Sequence, residues 1–153
     1  MLIFCLFILT LALPPQGADI PSFPDGIFLP SEKTQLEKAE NVEQRIKVYD
    51  TASKRIQSGL EKAVTKEDFQ TVPDALRLWV TLLSKSLEDI ESNLKAKKKP
   101  RALINYEIQV RKSIARTESL KIRAPVDQQD IFDSCLAEAE KVRKKYVEIL
   151  FLR

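Results

Sequence analysis

Apolar positions recur every three or four residues along most of the chain, a spacing that places them on one side of an α-helix. The pattern is strongest over residues 65–97 and continues in three further segments. The strongest seam consists of Phe69, Val72, Leu76, Trp79, Leu83, Leu87, Ile90 and Leu94. Because a helix with such a seam is insoluble alone, other helices must cover it. The pattern predicts an all-α protein.

Four amphipathic helices are predicted, at about 32–64, 66–97, 100–123 and 128–150. Ser31 is expected to cap the first helix, directly after Pro30. Thr65 and Asp68 resemble a capping box for the second. Short connections favour antiparallel neighbours, so residues 31–153 are expected to form one domain, an up-down antiparallel four-helix bundle. The first two helices are the longer ones, and their excess length must project or pair, for example with a second copy.

Proline and glycine modify two of these helices. Pro73 lacks an amide donor and crowds the preceding turn, which predicts a kink at that position. The alternative is a short helix over 67–72 followed by one that starts at Pro73, where proline is favoured. Gly59 costs roughly 1 kcal/mol relative to alanine, so early fraying of the first helix is expected there.

The N-terminal residues 1–13 are almost wholly apolar, a run shorter than the roughly 20 residues that span a bilayer. Prolines and a glycine end it, and Ala18 suits the last position before cleavage, so residues 1–18 match a secretory signal peptide. Two features depart from the usual signal peptide: no basic residue precedes the run, and Gln16 is larger than the small residue preferred two positions before the cleavage site. An uncleaved membrane anchor and a buried N-terminal helix therefore stay alternatives. We expect an exported protein, periplasmic or secreted.

Residues 19–30 contain three prolines and a Pro-Asp-Gly turn signal, which exclude a regular helix. Their apolar members predict an extended strap that lies over the bundle. The alternative is a flexible leader that holds the domain away from a membrane. The apolar members are Ile20, Phe23, Ile27, Phe28 and Leu29.

Histidine is absent from the chain, which removes the commonest metal ligand and the usual general base. Glu88, Asp89 and Glu91 are adjacent helical residues that point in different directions, so they are expected to be solvated rather than to bind calcium. No glycine-rich phosphate loop is present. We expect no catalytic, metal-binding or cofactor-binding residues, no cofactor and no small-molecule substrate.

Cys135 is the only cysteine outside the leader, so no intramolecular disulfide is expected. It lies on the seam of the fourth helix, where a thiol usually acts as a small buried apolar group. A reactive or intermolecular thiol is the less favoured alternative. Trp79 and Tyr49 are expected to be core aromatics.

Positive charge is concentrated in residues 95–123, which carry a net charge of +8 while the whole chain carries +3. That total is too small to predict a nucleic-acid partner. At 100° per residue, four basic side chains of the third helix fall within about 60° of one another, opposite its Val110 seam. They are Arg101, Lys112, Arg116 and Arg123. The candidate patch for an anionic partner consists of Lys97, Lys98, Lys99, Arg101, Lys112, Arg116 and Arg123.

Three interpretations of this patch compete. The favoured one is a solvated face that partly meets the acidic residues Glu37, Glu40 and Glu43 of the first helix. The second is a surface for anionic lipid headgroups or an envelope polymer. Nucleic acid comes last because export argues against it. A neighbouring apolar strip either widens the core or forms a partner face, and the wider core is preferred. The strip consists of Ile104, Ile108, Ala115 and Ile122.

These observations predict a non-enzymatic, exported helical bundle that serves as a structural or protein-interaction module. Its partner is expected to be another protein or a second copy of the chain. The alternative is a peripheral binder of anionic lipid or envelope polymer through the basic 95–123 region.

Overall fold

The computed structural model describes residues 22–94 and 99–151. Within these ranges the regular elements are all helical, and a single 3-10 turn, Val126–Gln128, precedes the last helix. The α-helices are α1 (Pro30–Glu37), α2 (Val42–Thr65), α3 (Val72–Asn93), α4 (Arg101–Lys121) and α5 (Gln129–Phe151). The all-α prediction is confirmed for the described part of the chain, and its packing fits a helical bundle.

The four long helices pack in a ring around one core. α2 contacts α3 and α4, and α5 contacts the same two helices, so α3 and α4 lie diagonally across the bundle. The expectation that short connections join antiparallel neighbours is therefore wrong for α3 and α4. The neighbours α2 and α4 run parallel, because their starts line one groove and Glu61 near the end of α2 pairs with Arg116 near the end of α4. Hydrogen bonds and ion pairs between the helices show that α2 and α3 run antiparallel, as do α4 and α5. The start of α2 and the end of α3 therefore lie at one end of the ring.

Large apolar and aromatic side chains fill the core. Trp79 on α3 is fully buried, and so are all three tyrosines and Phe132. The expectation that Trp79 and Tyr49 are core aromatics is therefore confirmed. Burying side chains of this size removes 150–250 Å² each from water, which makes them the main apolar contribution to folding.

The segment before α1 packs against α2. Ile27 and Phe28 are buried, and a turn at Gly26 with a left-handed φ of 88° leads the chain into them. The ring of Phe23 lies 4.8 Å from that of Phe28 and 5.7 Å from that of Tyr49, measured between centroids. Of the long helices, α2 is the one that supports α1.

The predicted helix over 32–64 is wrong, because the chain breaks between Glu37 and Val42. Asn41 Oδ1 accepts a hydrogen bond of 3.0 Å from the Gln44 amide, and Gln44 Oε1 accepts one of 2.7 Å from the Glu40 amide. This reciprocal capping starts α2 as an independent helix. Beyond it, α2 continues past Gly59 to its last residue, so the expected early fraying is absent.

The expected cap at Ser31 is also wrong. Pro30 is the first residue of α1, which is the position where the missing amide costs nothing, and Ser31 is the second. Leu29 precedes the helix, and its amide donates a hydrogen bond of 2.8 Å to Glu32 Oε2. Glu32 is the third residue of α1, and its carboxylate satisfies the amide of the residue before the helix, as the glutamate of a capping box does.

The second predicted helix begins later than expected. Thr65 is the last residue of α2, so the capping box predicted there is wrong, and Glu67 turns the chain with a left-handed φ of 58°. Residues 66–71 form turns rather than a helix. Pro73 occupies the second position of α3, where its missing amide needs no partner, so the predicted kink is wrong. The alternative is right that a helix starts beside Pro73, but its short helix over 67–72 is wrong.

The remaining boundaries shift by a few residues. α4 begins after Pro100 and ends two residues earlier than expected, and α5 begins after the 3-10 turn. The four long helices have 21 to 24 residues each, so the excess length expected for the first two is wrong. The prediction of a leader at 1–18 lies outside the described residues. None of the described helices is long and apolar enough to cross a membrane.

Candidate functional site

The predicted basic patch does not form one uniform surface. Lys97 and Lys98 lie outside the described residues. The Lys99 ammonium group is half-buried and donates a hydrogen bond to the carbonyl oxygen of Ile149 near the end of α5. Lys99, which precedes α4, therefore links the start of α4 to the end of α5, and a ligand would have to compete with the Ile149 carbonyl for its ammonium group.

The other four patch residues are exposed on α4 and after its end. Arg116 forms an ion pair of 3.4 Å with Glu61 of α2, so its charge is partly compensated. Arg101, Lys112 and Arg123 make no ion pair with a carboxylate of the described ranges.

The acidic residues that were expected to meet the patch do not pair with it among the described residues. Glu43 instead lies 3.5 Å from Lys47 on its own helix. Arg111, which the sequence argument did not single out, is also exposed on α4.

The apolar strip beside these cations faces solvent. Ile122 is 82% exposed and Ile104 is 44% exposed, while Ala115 is exposed and Ile108 half-buried. The preferred expectation of a wider core is therefore wrong for Ile104 and Ile122. We define the α4 outer face as Arg101, Ile104, Ile108, Arg111, Lys112, Ala115, Ile122 and Arg123.

A buried ionic cluster joins α2 and α3. Asp89 Oδ2 accepts hydrogen bonds of 2.8 Å from Arg45 Nε and from Tyr49 Oη, and Asp89 Oδ1 accepts one of 2.9 Å from Asn93 Nδ2. Burial and the neighbouring Asp89 carboxylate raise the pKa of Tyr49 far above its ordinary value. The prediction of a solvated Asp89 is wrong, whereas Glu88 is exposed and paired with Lys85 as surface charge.

A second cluster of hydroxyl groups lies at the centre of the core. Ser86 Oγ is 3.1 Å from Tyr106 Oη and 2.9 Å from Tyr146 Oη. Tyr146 Oη also donates to the carbonyl oxygen of Leu83 at 3.0 Å. Burial raises the pKa of both tyrosines, so both stay protonated in the folded protein. These contacts join three helices through polar atoms that water does not reach.

Two arginines compensate buried carboxylates near the surface. Arg55 donates 2.9 Å and 2.8 Å hydrogen bonds to the two oxygens of Glu32, and another to the Ile27 carbonyl. Burial opposes ionisation of Glu32, but these bonds outweigh it and hold its pKa below the ordinary value. Arg143 likewise bridges Glu107 and Glu140, at 3.0 Å and 2.7 Å.

Grooves on the surface are shallow and lined by charge. One of about 260 Å³ lies between α2 and α4 and has Lys47, Asp50, Arg101 and Asn105 on its walls. Another of about 530 Å³ lies between α4 and α5, beside Ile122. These grooves are open to solvent and offer little of the enclosure that small-molecule sites usually provide.

The burial of Cys135 and the spacing of the acidic residues bear on the predicted absence of reactive and metal-binding groups. Cys135 is buried, and burial raises the pKa of its thiol, which lowers the fraction present as nucleophilic thiolate. No group of three acidic or cysteine side chains with metal-binding geometry occurs among residues 22–94 and 99–151.

Comparison of the chain with known protein families, with curated proteins and with solved structures gave no match.

Proposed function

We propose that this chain is an exported, non-catalytic bundle of four long helices that acts through its surfaces as a structural or protein-interaction module. The observation that carries the proposal is the buried Asp89 cluster, in which Arg45, Tyr49 and Asn93 occupy both carboxylate oxygens. A catalytic base needs a free lone pair within reach of its substrate. The most deeply buried carboxylate of the described residues is instead 0% exposed and accepts three side-chain hydrogen bonds within the bundle, so a substrate does not reach it.

The partner in this proposal is another protein or a second copy of the chain. Exposed apolar side chains support it, since Ile122 and Val126 are 82% and 83% exposed close to the α4–α5 connection. Apolar groups so close together on a surface favour contact with another macromolecule.

Light scattering of the purified chain tests for a second copy, and capture from the envelope fraction at low and high salt tests for another protein. A stoichiometric complex that persists at high salt supports the proposal. A monomer that captures nothing contradicts it. Catalytic turnover that disappears in Cys135→Ser or Asp89→Asn would instead show an enzyme. N-terminal sequencing of the native protein tests export, because a mature chain that starts after Ala18 would show cleavage of the leader.

The second candidate function is peripheral binding of anionic lipid or an envelope polymer through the basic 95–123 region. The α4 outer face favours it because Arg101, Arg111, Lys112 and Arg123 are exposed there, with Glu118 as the exposed acidic neighbour on α4. Each cation close to an anionic membrane contributes about 1 kcal/mol of attraction, and salt screens that attraction.

Charge reversal distinguishes the second candidate from the first. A variant with Arg101→Glu, Lys112→Glu and Arg123→Glu should lose salt-dependent binding to phosphatidylglycerol vesicles. The matched control reverses Lys33, Lys38 and Lys144, which are exposed elsewhere and change the net charge equally. Equal binding by the two variants would contradict the second candidate.

A further inference from the structure

We propose that the α4 outer face lies flat on an anionic lipid bilayer and that its isoleucines enter the boundary between headgroups and acyl chains. The inference rests on the second candidate function, in which cations bind an anionic surface. It adds the insertion of apolar side chains below the lipid headgroups. The isoleucines concerned are Ile104, Ile108 and Ile122. The cations beside them would bind lipid phosphates.

The angular order of side chains around α4 supports this orientation. At 100° per residue, the three isoleucines and Ala115 fall within about 40° of one another. Arg101, Lys112 and Arg123 follow at about 60° to 100° from Ile104 on the same outward side. The buried Val110 lies opposite this face and points into the core. α4 thus carries two apolar sides. The outer one is bordered on one side by Arg101, Lys112 and Arg123 and on the other by Arg111 and the exposed Glu118, so cations predominate, as in helices that lie in a membrane interface.

The length and packing of α4 allow it to lie along a flat surface. Its 21 residues extend for about 32 Å at 1.5 Å per residue. Ile104 lies near the start of the helix and Ile122 directly after its end, so the apolar contact would run along the whole helix. Arg111 projects at the edge of the apolar strip, where its long aliphatic stem can lie along lipid while the guanidinium reaches a phosphate.

Charge complementarity selects an anionic bilayer over a second copy of the chain. The face presents four exposed cations against one bordering carboxylate, Glu118, and a second copy that docked the same face would bring mostly like charges together. A lipid surface provides negative charge and apolar volume over the full length of the helix. The apolar segment 1–13 of the same chain is expected to act as a leader or membrane anchor, and either role agrees with a protein that meets a membrane.

Tryptophan placed on the α4 outer face measures its depth in the membrane. The full chain carrying Ile122→Trp is reconstituted with vesicles that contain brominated phosphatidylglycerol, which quenches nearby tryptophan fluorescence. The native Trp79 is 0% exposed and therefore contributes a constant background. The matched control is Glu88→Trp, which places the new ring on the exposed side of α3, across the bundle from α4. The apolar leader is common to both chains, so it cannot produce a difference between them.

The inference predicts that fluorescence from position 122 is quenched and that fluorescence from position 88 is not. Quenching at 122 should disappear when Arg101, Lys112 and Arg123 are reversed to glutamate in the same chain. It should also fall when the vesicles are made of brominated phosphatidylcholine, because the zwitterionic surface lacks the attraction. A double Ile104→Ser, Ile122→Ser variant, altered only at exposed positions, should bind anionic vesicles about tenfold more weakly.

Other outcomes overturn the inference in distinguishable ways. If position 122 is not quenched while charge reversal still weakens vesicle binding, the second candidate function stands and the apolar insertion is wrong. If position 122 is not quenched and charge reversal does not weaken vesicle binding, both the apolar insertion and the second candidate function are wrong. Equal quenching at positions 122 and 88 would show that the chain enters the bilayer without this orientation. Binding to the soluble polyanion heparin without quenching by vesicles would identify an acidic polymer instead of a lipid surface.

Discussion

Arg45 on α2 and Asp89 on α3 form an ion pair of 2.8 Å whose side chains are 4% and 0% exposed. The two residues are 44 positions apart, so the pair fixes the relative register of two antiparallel helices. Tyr49 shares the same Asp89 oxygen, and its ring packs against Phe23 and Phe28 of the N-terminal segment. The ionic cluster therefore also supports the position of the segment that precedes α1.

Replacement of Arg45 by methionine should destabilise the protein by about 3–5 kcal/mol, because it leaves the Asp89 carboxylate buried without its counter-ion. Chemical denaturation followed by circular dichroism measures the change in unfolding free energy. The exposed pair Arg77–Asp74 supplies the control, since Arg77→Met should cost less than about 1 kcal/mol. A double Arg45→Met, Asp89→Leu variant should recover much of the lost unfolding free energy, because it removes the buried charge as well as its partner. Equal losses of unfolding free energy in Arg45→Met and Arg77→Met would contradict a structural role for the cluster.

Glu32 should make stability depend on acidic pH. Its folded-state pKa lies below the ordinary value of 4.5, so its contribution is fully present above pH 4.5 and is lost as the pH falls through the folded value. Glu32→Gln should therefore cost about 1–3 kcal/mol near neutral pH, with the cost shrinking below about pH 4.5. Denaturation of both proteins across this range tests the prediction. The control is Glu88→Gln in the exposed Lys85–Glu88 pair, which should change the unfolding free energy little at any pH. A loss of unfolding free energy in Glu32→Gln that does not vary with pH would contradict the prediction.

The tyrosines should make the protein sensitive to alkali. All three, Tyr49, Tyr106 and Tyr146, are buried with pKa values raised above 10.0. Their protonated forms stabilise the fold fully below pH 10, and this contribution is lost as the pH rises further, since the unfolded chain releases those protons more readily. Tyrosinate absorbance and circular dichroism should change together in one transition. Titration of a tyrosine near pH 10 with the helices intact would contradict its burial.

The break between α1 and α2 shows how a regular apolar period can conceal a boundary. Leu36, Ala39 and Val42 keep the helical spacing across it, which is why one long helix was expected. The signal that marks the boundary is Asn41 followed by Gln44, a polar pair at the spacing of a capping box. Local capping chemistry determined the boundary here, and the apolar period did not.

The fold class could be predicted because it depends on local periodicity, whereas the polar clusters could not. Asp89 stands beside two solvated carboxylates in the sequence, and nothing local indicates that Arg45 will reach it. Such pairs depend on the register between helices, which a single sequence does not reveal. The basic positions of α4 could be predicted from the helical wheel, but the exposure of Ile104 and Ile122 depended on which side of α4 the neighbouring helices cover.

Gly59→Ala should stabilise the protein by about 0.5–1 kcal/mol. Gly59 is an exposed residue inside α2, a Cβ built there meets no atom within 4 Å, and alanine loses less backbone entropy than glycine on forming a helix. Gly26→Ala is the matched control with equally open space, but its φ of 88° requires the left-handed region, so it should destabilise by about 1–2 kcal/mol. Thermal and chemical denaturation measure the change in unfolding free energy of each variant, which should be positive for Gly59→Ala and negative for Gly26→Ala. Destabilisation by Gly59→Ala would show that α2 does not run unbroken through this position.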